Sequence, residues 1–147
     1  MAGEASSSIS DKAGVLQCYT NAEQVWDRTN TRMPNGQLTG SHFSATQGAL
    51  LVPAPEQLGR YYLFTVDAQE NRFVGGLRYS TIDMTLRGGL GDVELPKSVP
   101  VPVPGGGLLT EKLTAVLHAN SRDYWIVAVP QKQPCTLCLF DSFHNSC

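Results

Sequence analysis

The chain has 147 residues, of which 41% are hydrophobic and 16% are charged, with a formal net charge of −2 at pH 7. The length suits one domain with a sizeable core, and the eleven scattered Lys and Arg residues exclude the basic surface that nucleic-acid-binding proteins use. Fourteen glycines, nine prolines and a scarcity of helix-length periodic stretches favour an all-β fold.

Short apolar or alternating runs, separated by turns rich in Gly, Pro, Asn and Asp, predict a series of strands. In chain order these strands are expected at 6–10, 15–20, 24–26, 49–52, 61–66, 76–84, 93–95 and 109–118. Residues 28–40 hold Thr, Asn, Pro and Gly and are predicted to form a surface loop. Residues 99–104 alternate valine with proline, which predicts an extended polyproline-like crossing.

One strand hexamer occurs twice in the chain. Tyr-Tyr-Leu-Phe-Thr-Val at 61–66 returns as Tyr-Trp-Ile-Val-Ala-Val at 124–129, and each copy follows an apolar run and a turn with an arginine. A hairpin used twice is typical of repeat β architectures. Six residues are expected to be buried in the two copies: Tyr62, Phe64, Val66, Trp125, Val127 and Val129.

No stretch approaches the ~20 consecutive apolar residues that a membrane-spanning helix needs, so we expect no insertion into a membrane. The first eight residues lack the basic and apolar regions of a secretory signal peptide. These observations predict either a cytoplasmic protein or a piece of a longer chain.

Eight short segments carry a family resemblance, in order and with plausible spacing. They are VWDR at 25–28, MPNG at 33–36, SATQ at 44–47, YYLFTVD at 61–67, GLRYS at 76–80, GLGDV at 89–93, TEKLTAV at 110–116 and DYWIV at 123–127. Over residues 5–129 the chain resembles the N-terminal WD40-like β-propeller region of large secreted Bacteroidetes surface proteins, which are associated with gliding motility and type IX secretion.

The resemblance implies a non-enzymatic binding or scaffolding module of an extracellular or cell-surface protein. At about 40–50 residues per blade the chain holds about three blades, too few for a closed ring of roughly 4–8 blades. We therefore expect a partial β-propeller that closes, if at all, by oligomerisation. A symmetric homodimer is the simplest assembly and a head-to-tail ring the alternative, with an interface above ~2,000 Å².

Aromatic side chains offer a second kind of partner. They are Trp26, Tyr61, Tyr62, Tyr79, Tyr124 and Trp125. Rings of this kind could stack on a carbohydrate or a protein ligand, although their strand positions favour packing between blades.

The last seventeen residues depart from the resemblance, where further strands should continue. We therefore divide the chain into a propeller-like domain at 1–130 and an atypical Cys-containing tail at 131–147, which reads as a truncation with an unrelated ending. Cys135, Cys138, His144 and Cys147 supply a donor set suited to zinc, but their spacing is too short for an ordinary zinc finger. Incidental cysteines, or a Cys135–Cys138 disulfide in oxidising conditions, are the alternatives.

Candidate catalytic residues are few. His42 and His118 both lie beside turns, and His118 with Asp123, or Cys18 with a histidine, could pair as nucleophile and base. No third orienting group is evident, and Cys18 in its apolar strand is expected to be a small buried hydrophobe. The alternative to a binding module is therefore a small hydrolase with its site at a subunit interface or at a tail-bound metal.

Overall fold

The computed structural model describes residues 4–103, 106–132, 136–140 and 145–146, and these ranges form three antiparallel sheets in chain order. Sheet A contains β1 (Ser7–Ser10), β2 (Leu16–Thr20), β3 (Gln24–Asp27) and β4 (Arg32–Gln37). Sheet B contains β5 (Ala49–Pro53), β6 (Arg60–Val66), β7 (Leu77–Asp83), β8 (Asp92–Val93) and β9 (Val99–Pro100). Sheet C contains β10 (Leu109–Leu117), β11 (Tyr124–Pro130), β12 (Thr136–Phe140) and β13 (Asn145–Ser146).

Successive strands pair with their neighbours in each sheet, and short 3₁₀ turns at Gln69–Asn71 and Leu86–Gly89 are the helical segments of the described ranges. The all-β prediction is therefore confirmed. The turn between β1 and β2 shows the expected chemistry, because the Asp11 carboxylate accepts hydrogen bonds from the backbone N–H groups of Ala13 and Val15, both at 2.9 Å. Gly14 closes this turn with a φ of +81°, a conformation that glycine adopts without steric cost.

Sheet B is the middle layer, and both of its faces are buried. One apolar cluster joins it to sheet A and another joins it to sheet C. In β6, Tyr61 and Leu63 belong to the cluster with sheet A, whereas Tyr62, Phe64 and Val66 belong to the cluster with sheet C. The nearly continuous apolar sequence of β6 follows from this position, because a strand with two buried faces has no solvent side to keep polar.

The predicted loop at 28–40 is wrong in its central part, where β4 forms the edge of sheet A. Met33 is fully buried in the cluster with sheet B. Pro34 is tolerated because an edge strand does not need every backbone N–H. Gly36 is required by close packing, since a Cβ atom there would lie 2.6 Å from the carbonyl oxygen of Val25.

The predicted polyproline crossing at 99–104 is also partly wrong. Val99 and Pro100 form β9 and pair with Tyr79 and Arg78 of β7. The strand lies beyond β8 along the same side of β7, where proline costs little because it again occupies a sheet edge.

The same Asp-x-Thr turn follows the third strand of sheets A and B. Oδ1 of Asp27 accepts hydrogen bonds from the backbone N–H of Thr29 at 2.9 Å and from its hydroxyl at 2.6 Å. Asp83 and Thr85 repeat these contacts at 2.8 and 2.6 Å. Each carboxylate also faces an arginine, Arg87 of the 3₁₀ turn at Leu86–Gly89 for Asp27 and Arg60 of β6 for Asp83.

These contacts decide the charge state of both carboxyl groups. Burial opposes ionisation of Asp83, but the hydrogen bonds from Thr85 and Arg60 hold its pKa below the ordinary value. Burial also opposes ionisation of Asp27, but the hydrogen bonds from Thr29, Thr31 and Arg87 hold its pKa below the ordinary value. Both groups are therefore carboxylates at neutral pH and stabilise the folded chain in that form.

We predict that protonation of Asp83 at acidic pH lowers the stability of the folded chain. Its lowered pKa contributes stability that is present above the unfolded pKa of about 3.9 and is lost as the pH falls through the folded pKa. The Asp83→Asn variant should be less stable at neutral pH by about 1–3 kcal/mol, and its stability should change less steeply on acidification. Urea unfolding at a series of pH values measures both effects. Glu70→Gln, at an exposed carboxylate, is the control, and parallel wild-type and Asp83→Asn pH curves would contradict the assignment.

Candidate binding faces

The predicted metal ligands of the tail lie largely outside the described residues. Cys135, His144 and Cys147 are not among them, and the backbone of Cys138 lies in β12, where it pairs with Ile126. The zinc hypothesis for the tail therefore stays a prediction. In the described part of the chain, no group of three or more His, Cys, Asp or Glu side chains is arranged to hold a metal ion.

Cys18 lies in the core of sheet A, as the sequence predicts. Burial raises the pKa of its thiol to about 12, so the group is protonated at neutral pH. Since the thiolate is the reactive form of cysteine, Cys18 is a packing residue and not a nucleophile.

His118 and Asp123 do come together, but as parts of the turn between β10 and β11. The backbone N–H of His118 donates to the carbonyl oxygen of Asp123 at 2.8 Å, and the imidazole packs beside Trp125 with ring centroids 5.6 Å apart. The Asp123 carboxylate accepts hydrogen bonds from Arg122 and Asn120, and the Arg122 contact lowers its pKa. These contacts hold the hairpin closed and offer no nucleophile.

Sequence reasoning missed one serine–histidine contact. Nδ1 of His42 lies 2.7 Å from the hydroxyl oxygen of Ser44, and the imidazole stacks on Phe43 with ring centroids 4.7 Å apart. Ser44 also lines a surface cavity of about 480 Å³ that contains Glu111. The sequence pattern His-x-Ser does not by itself predict this contact as a site, because such a pair in a loop usually makes only a local turn contact.

The outward face of sheet C is apolar and is not covered by the described residues. Val116 of β10 pairs with Trp125 of β11, and Thr114 pairs with Val127. Val116 is 54% exposed, and Trp125, Val127 and Val129 of β11 are half-buried. Of the alternating residues of the same strands, Leu113, Ile126 and Ala128 are buried against sheet B, as the pleat of a strand requires.

This outward face repeats a buried face of sheet B. The Val116–Trp125 pair occupies the position of the Val52–Tyr62 pair of β5 and β6, aligned through the repeated hexamers. Val52 and Tyr62 are only 4% and 8% exposed because sheet C packs on them. The burial expected for both hexamer copies is thus confirmed for Tyr62, Phe64 and Val66, whereas Trp125, Val127 and Val129 of the second copy are only partly buried.

The second copy differs for a tertiary reason. Trp125, Val127 and Val129 point to the side of sheet C that faces away from sheet B, and no further sheet follows there in the described chain. Sequence alone contains no sign of this difference, since the two hexamers have nearly the same apolar pattern.

The outward face of sheet A has a different chemistry. A cross-strand row runs from Ser8 through Tyr19 and Trp26 to Arg32, one residue from each strand. The Tyr19 and Trp26 rings are stacked, with centroids 5.4 Å apart and planes 14° apart. The Tyr19 hydroxyl donates to Oδ1 of Asn30 at 3.0 Å. The row is therefore aromatic in its centre and polar at its ends.

Comparison with protein-family models, with the curated proteins and with the solved structures finds no match to the chain. The family resemblance seen in the sequence therefore stays a prediction. Among the described residues, no helix has the length and apolar character needed to cross a membrane.

We predict that the two equivalent aromatic positions differ in their contribution to stability. Tyr62→Ala should cost about 3–5 kcal/mol, because it opens a cavity between sheets B and C. Trp125→Ala should cost less than about 2 kcal/mol despite the larger side chain, because this ring is only half-buried. Chemical denaturation at low protein concentration compares them, and an equal or larger loss for Trp125→Ala would contradict the description of sheet C as uncovered.

Proposed function

We propose that the chain is a non-enzymatic binding and scaffolding module whose three sheets act as about three blades of a partial propeller. Its place at the cell surface or outside the cell, as the resemblance implies, is part of this proposal. The observation that carries it is the outward face of sheet C, which repeats the face through which sheet B packs on sheet C. A module with such a face binds a further β-sheet.

The size of the face supports a contact of moderate strength. The part of this face whose side chains are described belongs to β10 and β11, two strands about 4.8 Å apart and about seven residues long, which cover roughly 200 Å². Contiguous apolar patches on a soluble protein are often interaction sites. Two such faces bury less than the ~2,000 Å² of an obligate assembly, so the contact should be reversible and should depend on protein concentration.

The chemistry of the two outer faces favours a second copy joined by a two-fold axis. A head-to-tail ring would place the polar outward face of sheet A, with Gln17 and Gln24, on the apolar outward face of sheet C. Burying amides against valine costs free energy unless each amide finds a partner. A two-fold axis instead places one sheet C on another, and the same apolar patch satisfies itself.

We predict that the wild-type chain forms homodimers with a micromolar Kd. The dimer fraction should therefore rise as the protein concentration is increased a hundredfold, up to about 0.2 mM. Val127→Lys places a charge in the centre of the contact and should leave the chain monomeric. Gln37→Lys, at an exposed position of β4 in sheet A, is the matched control and should still dimerise. Sedimentation velocity reports all three chains, and a wild-type monomer throughout the range would overturn the proposal.

A hydrolase is the second candidate, and the Ser44–His42 contact of 2.7 Å is the observation in its favour. A base within hydrogen-bond distance of a serine hydroxyl is the first requirement for an activated nucleophile. If the pair is catalytic, a fluorophosphonate probe should label the wild-type chain and should not label the Ser44→Ala and His42→Ala variants. Absence of labelling on the folded wild-type chain would remove this candidate.

A further inference from the structure

The outward face of sheet A is built from a small set of side-chain types. In β2 and β3, the positions that alternate with the buried Cys18 and Val25 hold amides and aromatic rings and no aliphatic residue. These four residues are Gln17, Tyr19, Gln24 and Trp26. An apolar docking surface for another sheet would require valine, leucine or isoleucine here, as on sheet C.

The polar side chains at the rim are held in place by hydrogen bonds. Nε2 of Gln24 donates to Oε1 of Gln37 at 3.2 Å, and Arg32 donates to the same oxygen at 3.3 Å. Nε2 of Gln37 donates to the carbonyl oxygen of Glu23 at 3.3 Å. The rim therefore presents planar polar groups beside Trp26 in a fixed orientation, which lowers the entropy cost of binding a ligand.

A cavity of about 410 Å³ adjoins the opposite end of the row. It lies at the β1–β2 edge and is lined by Ser6, Ser7, Ser8, Leu16, Tyr19 and Thr20. The row crosses four strands, so it extends over about 14 Å. It offers hydroxyl groups at one end, two rings in the centre, and amide and guanidinium groups at the other end.

This combination matches the chemistry of a sugar chain. The C–H faces of pyranose rings stack on aromatic rings, and their hydroxyl groups exchange hydrogen bonds with planar amides and with arginine. Arg32 is the single charged side chain of the row, so the face does not carry the basic cluster that a strongly anionic polymer would require.

We propose that the outward face of sheet A binds a neutral polysaccharide, with the ring surface that the stacked, half-buried Tyr19–Trp26 pair leaves uncovered as the aromatic contact and Asn30, Arg32, Gln24 and Gln37 as hydrogen-bonding groups. This site is independent of the self-association proposed for sheet C, because the two faces lie on opposite sides of the molecule.

The test is affinity electrophoresis of the full chain in native gels that contain hydroxyethylcellulose, xyloglucan or galactomannan. At least one polymer should retard the wild-type chain. Trp26→Ala should weaken this binding by about tenfold or more, whereas Trp26→Phe should retain most of it because a ring remains. Trp125→Ala is the matched control on the other outer face, and it should bind the polymer like the wild-type chain.

A second variant distinguishes loss of polysaccharide binding from loss of folding. Gln37→Ala changes an exposed side chain of the rim, and it should weaken retardation while the circular dichroism spectrum stays unchanged. No retardation by any of the three polymers, or equal retardation of the wild-type and Trp26→Ala chains, would overturn the proposal. The proposal would also be overturned if Trp26→Ala altered sedimentation but not retardation, because the face would then be a protein interface. Failure of self-association would instead appear in the Val127→Lys comparison and would leave this result untouched.

Discussion

The packing of sheet B between two other sheets is the constraint on which the molecule depends. Apolar side chains leave both faces of β6, so neither face of this strand can be exposed without loss of burial energy. Sheets A and C supply the two covers. Leu63 and Phe64 are adjacent in sequence and fully buried, yet they belong to different clusters. The middle layer therefore determines that the chain forms a stack of three sheets.

Polar contacts between the layers adjust this stack. Asp27 of sheet A is fully buried and lies 3.2 Å from Arg87, in the 3₁₀ turn between β7 and β8, so the ion pair joins sheet A to a connection of sheet B. Asn35 of β4 contacts both carboxylate oxygens of Asp92, at 3.0 Å each. These contacts satisfy buried polar atoms and fix the position of sheet A on sheet B, which apolar packing alone specifies less sharply.

The two ends of the stack differ in their side-chain chemistry. Sheet C ends on Val116, Trp125, Val127 and Val129, in the positions that Val52, Tyr62 and Phe64 occupy between sheets B and C. Sheet A ends on stacked rings and hydrogen-bonded amides, whose polar groups remain satisfied in water. The two proposed contacts, with another sheet and with a hydrated ligand, therefore lie at opposite ends of the stack and would not compete.

The sequence by itself determined the strand series and the all-β class, because alternation, turn residues and the repeated hexamer are local signals. It also indicated the burial of Cys18 and of the first hexamer. It did not predict β4, since Pro34 and Gly36 are turn residues in isolation and only the packing of Met33 on sheet B makes the segment a strand. Nor did it distinguish Tyr62 from Trp125, or bring Tyr19, Trp26 and Arg32 into one row. Those features arise from which sheet covers which face and from the cross-strand register. Both are decided by contacts between residues far apart in the chain, and the tertiary structure alone contains them.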